Sequence, residues 1–154
     1  MTRDFPHTLF YLPMRIGYTG TSQPGGMTQV QRAVLRQRLC YFRDVEFHHG
    51  DCINGDAQAD EIARSLGFSI VEHPPLRVYA RAFCEHRGQT MVLPPREFIP
   101  RNHDIVDAVN QMFAAPAQKE EQMRGSGTWA TIRYARRIGK PLLIIYPDGT
   151  MERG

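Results

Sequence analysis

The feature that most constrains this chain is the regular return of short apolar runs, each followed by a stretch with helical spacing. Residues 142–146 read Leu-Leu-Ile-Ile-Tyr. A run without polar alternation suits a strand buried on both faces. Similar runs occupy residues 14–19, 45–48, 68–71 and 108–113. Residues 27–42 repeat Met27, Val30, Val34, Leu35 and Leu39 at helical spacing, with Thr28 as N-cap. Helices are also expected over 57–66, from Arg101 to about Asp107, and over 128–138. Gly67 and Gly139 are placed to close two of them. Residues 78–84, between two Pro-Pro pairs, suit a short strand or helix. The order β-α-β-α-β-(α)-β-α-β predicts an α/β fold. It is expected to be a single domain over residues 1–154, with its core at 14–149 and a mainly parallel five-stranded sheet covered by helices on both faces.

Charge and cysteine usage narrow the function classes. The net charge is only +3, and Lys and Arg are spread along the chain. Arg32, Arg36 and Arg38, and then Arg133, Arg136 and Arg137, fit solvated faces or last turns of helices. Without a basic stripe, nucleic acid is a disfavoured partner. Three cysteines with no C-x-x-C pair argue against a disulfide framework and a structural zinc site. No metal and no cofactor are expected. Free thiols suit a reducing compartment. The opening MTRDFPHTLFYLP has no apolar leader core, and no apolar run approaches ~18 residues. The expected location is the cytoplasm, with no membrane contact.

The polar clusters all follow strands, so a parallel sheet gathers them at one edge. Arg124-Gly-Ser-Gly-Thr128 opens a helix. Its glycines permit close approach, and the helix N-terminus offers unpaired N–H groups suited to a phosphate. Ser126 and Thr128 add hydroxyls and Arg124 adds charge. The G-K-[ST] ending of a Walker loop is missing. Gly20, Thr21 and Ser22, with Gly25 and Gly26, offer a second glycine-rich turn. The stretch HHGDCINGDAQAD carries Gly50, Asp51, Asp56 and Asp60. These carboxylates suit ribose hydroxyls or acid–base work, with Asp51 and Asp56 the candidate catalytic groups. Asp56 equally suits the N-cap of a helix beginning at Ala57. Of His48 and His49, alternation lets at most one face the site. Arg101 is placed to reach a phosphate bidentately, with Asn102 beside it. Trp129, in the first turn of a helix, is expected in the core.

The runs HGDCINGDAQADEIARSLG, HPP, RNHDIVDAV and GSGTWATIRYARRIGKPLLII together resemble the SLOG group of Rossmann-like nucleotide-binding domains. That group includes relatives of the cytokinin-activating phosphoribohydrolases and of the DNA-processing protein DprA. The resemblance spans about Ile16 to Asp148. It implies a nucleotide pocket whose phosphate lies at Gly125, Ser126, Gly127 and Thr128, with Gly20, Thr21 and Ser22 on the opposite wall. It also implies a homodimer by analogy. The phosphoribohydrolases carry G-G-x-G-T-x-x-E, and here Thr131 stands where their catalytic Glu would be. A hydroxyl near its ordinary pKa cannot replace a carboxylate as general base.

The favoured expectation is a module that binds a nucleotide or nucleotide-derived small molecule. The alternative is cleavage or transfer of an N-glycosidic bond in a nucleoside 5′-monophosphate. Single-stranded DNA binding stands third, because no aromatic residues interleave with basic ones.

Overall fold

The computed structural model describes residues 13–154. The stretch that argues against a leader lies, but for Pro13, outside the described residues. In chain order the elements are β1 (Met14–Gly20), α1 (Gln29–Leu39), β2 (Val45–His49), α2 (Gly55–Ser65), β3 (Ser69–Glu72), one 3-10 turn (Val78–Ala80), β4 (Thr90–Val92), α3 (Phe98–Ala108), β5 (Gln111–Ala115), α4 (Gly127–Arg137), β6 (Leu142–Ile145) and β7 (Met151–Arg153). The strands form one seven-stranded sheet in the order β4-β3-β2-β1-β5-β6-β7. All pairings are parallel except β6 with β7. No helix among the described residues is long and apolar enough to cross a membrane.

The expected α/β class holds, but the sheet has seven strands instead of five. The two additions, β4 and β7, are three-residue edge strands. Edges need no continuous apolar run, so periodicity passes over them. Helix α3 starts at Phe98 rather than Arg101. Pro100 lies in its first turn, where its missing N–H breaks no intrahelical bond. The helix continues through Ala108, which moves the next strand from 108–113 to Gln111–Ala115. Helix α2 starts at Gly55, so Asp56 is inside the first turn and is not its N-cap.

Alternation along β1 divides the core between the two faces. Ile16 and Tyr18 pack with Leu35 and Leu39 of α1, Ala59 and Ile62 of α2, and Phe47 and Ile70 of the neighbouring strands. The opposite face packs Met112, Ala114 and Ile144 against Ile105 and Val106 of α3 and Trp129 and Ile132 of α4. Gly17 is what lets α3 approach: a Cβ there would lie 3.1 Å from Ile105 and 3.0 Å from Val109. In α1 the expected apolar stripe shifts. Val30 is exposed, and Gln31 is buried in its place. Gln31 is fully committed, donating to the carbonyls of Pro116 and Ile145 at 2.9 Å each and accepting from Thr28 N–H in a capping box. A polar side chain with all its bonds made can enter a core at little penalty. It ties α1 to the ends of β5 and β6.

Candidate functional site

β1 has β2 on one side and β5 on the other, so the strand order reverses at β1. The loops after β1 and β5 part at this point, beyond the carboxyl ends of the strands. Between them lies a cavity of about 320 Å³, at the small end of the range for ligand pockets.

One wall is the start of α4. Ser126 caps the helix by accepting from Trp129 N–H at 3.1 Å. Gly127 and Thr128 follow, and their N–H groups belong to the first turn, which has no intrahelical acceptor. Gly125 before them has φ +77°, a conformation that favours glycine. A Cβ built on Gly127 would meet only Asn102 Nδ2, at 3.7 Å. The Asn102 amide is oriented by its neighbour, because Arg101 Nε donates to Asn102 Oδ1 at 2.8 Å. That leaves the Asn102 NH₂ as the donor turned toward Gly127. Arg101 itself is buried and largely committed. Its NH1 donates to the carbonyls of Gly50 at 2.6 Å and His73 at 2.9 Å. Its NH2 faces the Cys52 sulfur at 3.4 Å.

The floor is Tyr18 and Asp56. The Tyr18 hydroxyl is buried and has no hydrogen-bond partner among the described residues. Burial, and then the Asp56 charge, push its pKa well up, so it stays a protonated donor. Gly20 makes room for it, and Gly55, set against the Thr21 carbonyl, stands close. A Cβ on Gly55 would lie 3.2 Å from the hydroxyl, and one on Gly20 would overlap it and approach Cζ to 2.5 Å. Gly20→Ala is therefore expected to destabilise by about 1–3 kcal/mol through overpacking, read as a lower denaturant midpoint. An unchanged midpoint would mean that the ring has space to move. Asp56 accepts at Oδ2 from the N–H groups of Gly50 and Cys52, both at 3.1 Å. Burial raises its pKa, against the opposing pull of His49 and Arg101.

The aspartate loop is locked from behind. Asp51 and Asn54 adopt φ of +49° and +71°, which Asp and Asn tolerate better than most residues. Asp51 is buried. It pairs with Arg81 Nε at 2.7 Å and accepts from Cys84 N–H at 3.1 Å. Asn54 Nδ2 holds the Ser22 carbonyl at 2.7 Å, joining this loop to the β1 loop. Gln58 does the same one turn later, with Oε1 on Met27 N–H and Nε2 on the Gly25 carbonyl. Gly25 and Gly26 thus serve this clasp and do not line the cavity.

Behind the loop is a buried ionic cluster. His49 donates from Nε2 to Asp60 at 2.7 Å, and Asp60 also accepts from Arg64 Nε at 2.8 Å. Arg64 reaches Glu72 at 3.4 Å, and His86 reaches the same carboxylate at 3.2 Å. Ligand atoms of His49, Asp60, Glu72 and Cys84 lie within 4.8 Å of one another, near enough in distance for a metal ion. The wiring opposes it. Asp51 N–H donates into His49 Nδ1 at 2.9 Å, so the ring proton is on Nε2, where a metal would have to bind. Burial lowers the His49 pKa, but the bond to Asp60 and the surrounding carboxylates outweigh it and the net shift is upward. The amide at Nδ1 opposes a second proton. His48 points to the other face, where its Nδ1 meets His73 Nε2 at 2.8 Å and its Nε2 meets Glu46 at 2.7 Å. Neither His48 nor His49 lines the cavity.

The cavity brings together Gly20, Thr21, Ser22 and Asp56 on one side with Arg101 and Asn102 on another, and Gly125, Ser126, Gly127 and Thr128 on a third. Gly50, Asp51, Arg124 and Thr131 are not part of its lining. Gly50 is buried beneath Arg101, and Arg124 is exposed. Thr131 is buried with its Oγ1 donating to the Gly127 carbonyl at 2.8 Å. Tyr18, Cys52 and Phe98 also line the cavity; Cys52 lies within the HGDCINGD run without being one of its candidate groups, and no motif marks Tyr18 or Phe98.

No protein-family model matches the chain, and no curated protein matches it by sequence. Solved structures do. DNA processing protein A from Helicobacter pylori, described with its single-stranded DNA binding mode, aligns with TM-score 0.59 at 16% identity over 86% of this chain and 65% of that one. The chain thus spans less than two thirds of that protein. TM1055, a structural-genomics target, aligns with TM-score 0.58 at 18% identity over 84% of this chain and 72% of that one. The Moco carrier protein from Chlamydomonas reinhardtii aligns with TM-score 0.57 at 16% identity over 86% and 76%. The fold is Rossmann-like, as the resemblance in the sequence implies.

Proposed function

We propose that this protein binds a nucleotide or nucleotide-derived ligand in the cavity beside β1, with a phosphate on the α4 N-terminus. The observation that carries this reading is the opening of Gly127 and Thr128 onto the cavity, with Asn102 Nδ2 beside them. Free N–H groups and a helix dipole suit an anion. Binding of nucleic acid or of a small cofactor, as named for the structural neighbours, is compatible with a phosphate-bearing ligand. Thermal shift against nucleoside mono-, di- and triphosphates, ADP-ribose, NAD and cyclic nucleotides tests it. At 100 times Kd, a ligand stabilises by about 2.7 kcal/mol. Gly127→Asp is expected to abolish that stabilisation in a folded protein, because a carboxylate enters the anion site while the backbone has space for a Cβ. Unchanged affinity in the folded variant sinks the phosphate assignment. No shift with any of these ligands sends the search to single-stranded DNA.

A second reading draws on Asp56, a buried carboxyl with a raised pKa in the cavity lining. Such a group can act as a general acid. It would protonate the departing base as the C1′–N bond breaks and water adds to C1′ of the sugar, and the carboxylate so formed takes up the proton that the water loses. Thr131, committed to the Gly127 carbonyl, supplies no carboxylate to this chemistry. Chromatography of the ligand after incubation separates the two readings: intact ligand supports binding, and free base supports hydrolysis.

A further inference from the structure

We propose that Tyr18 and Asp56 form a sugar-hydroxyl site at the floor of the cavity, so that the ligand is a ribonucleotide with its ribose hydroxyls free. This rests on the phosphate reading above and specifies which end of the ligand is buried. The Tyr18 hydroxyl is 1% exposed residue-wide, lines the cavity and lacks a partner among the described residues. A buried hydroxyl without a partner is unusual in a folded protein and needs a reason. Gly20 is the residue whose missing Cβ admits the hydroxyl, while a Cβ at Gly55 would meet the Thr21 carbonyl at 2.5 Å before it. The chain thus admits at the cavity a polar atom that makes no hydrogen bond among the described residues. Asp56 follows Gly55, and its Oδ2 is bound by two amides. No hydrogen bond among the described residues uses its Oδ1. The floor thus sets a donor beside an acceptor. Sugar hydroxyls match both, accepting from the phenol and donating to the carboxylate. The phosphate cradle is on a different wall of the same cavity, so one ligand can engage the two together.

The discriminating variant is Tyr18→Phe, which removes one oxygen. Its apo and bound effects are expected to have opposite signs. The apo protein gains stability, with Tm rising by about 2–4 °C, because the orphan hydroxyl is gone. Affinity for ribonucleotides falls about tenfold, because the ligand loses its donor. The probes are the four nucleoside 5′-monophosphates and their 2′,3′-dideoxy counterparts, titrated into wild type and variant. Wild type is expected to bind the best ribonucleotide at least tenfold more tightly than its dideoxy form, and Tyr18→Phe to bind the two nearly alike. Equal wild-type affinity for both forms, or unchanged ribonucleotide affinity in Tyr18→Phe, overturns the hydroxyl site while leaving the phosphate reading standing. A lower apo Tm in the variant also overturns it, since the hydroxyl would then already have a partner. Failure of every monophosphate to bind overturns this inference, and the phosphate reading falls with it only if the di- and triphosphates, ADP-ribose, NAD and cyclic nucleotides fail as well.

Discussion

Asp60→Ala is expected to destabilise the protein by roughly 3–5 kcal/mol, with a fall in Tm on the order of 10 °C. Asp60 alone receives both the His49 N–H and the Arg64 Nε. The Arg64 side chain is only 3% exposed, and its other carboxylate, Glu72, is 3.4 Å away. Truncating Asp60 therefore leaves the buried Arg64 Nε–H and the buried His49 Nε2–H without acceptors, while the rest of the guanidinium keeps the Arg87 carbonyl, Thr90 Oγ1 and Glu72. Asp60→Asn keeps an acceptor and should lose less. Arg96→Ala is the control: Arg96 pairs with Asp104 near the surface, and its loss should stay within about 1 kcal/mol. Chemical denaturation of the three variants reads this directly. If Asp60→Ala and Arg96→Ala prove equal, the cluster is not holding the loop.

The second large effect is acid lability through His73. Burial, then His48, His49 and Arg101, push its pKa down to about 3, and burial also lowers that of His48. A folded pKa below the unfolded value of about 6.5 means that the unfolded chain takes the proton first. The His73 contribution is thus complete above pH ~6.5 and is lost as pH falls toward ~3, at about 1.4 kcal/mol per unit. Other groups act in the same window. His49 is drawn the opposite way by its carboxylate neighbours, against the Asp51 amide that occupies its Nδ1, and His73→Gln leaves both influences in place. His73→Gln isolates the effect, because the amide can still donate to His48 while carrying no titrating proton. The stability of wild type minus that of His73→Gln should decline by roughly 3–4 kcal/mol between pH 6.5 and 3.5. A difference that does not vary with pH would mean that His73 already takes its proton in the folded protein.

Much of the architecture was legible because buried parallel strands carry their signal in composition. The run at Ile144 is apolar on both faces, and those at Ile16, Phe47 and Ile70 each bring buried apolar residues to the core. The glycine-rich start of α4 was legible for a similar reason, since a cradle at a helix N-terminus needs glycine and a capping hydroxyl. Tyr18 was not. In the sequence it is one more large residue on a strand, and only the missing Cβ of Gly20 and the lack of a hydrogen-bond partner distinguish its hydroxyl. Asp51, conspicuous in the sequence, turns out to face Arg81 and Cys84. A carboxylate in a polar loop reads the same whether it binds a ligand or an arginine 30 residues away. Gln31 misled in the opposite direction, because its acceptors are backbone carbonyls of Pro116 and Ile145 that no side-chain pattern reveals.

The reversal of strand order at β1 also governs how the chain is made. Ile16 pairs with Gln111, and most of the molecule lies between them. When β2 and β3 have emerged from the ribosome, β1 can join them, but its other side has no partner until β5 is synthesised. From Glu72 to Ala115, at ordinary synthesis rates, that interval is roughly 2–9 seconds. Through it, β1 presents free N–H and C=O groups flanked by Ile16 and Tyr18, the kind of edge on which foreign strands add. The strand buried deepest in the finished sheet is the exposed margin of the nascent one.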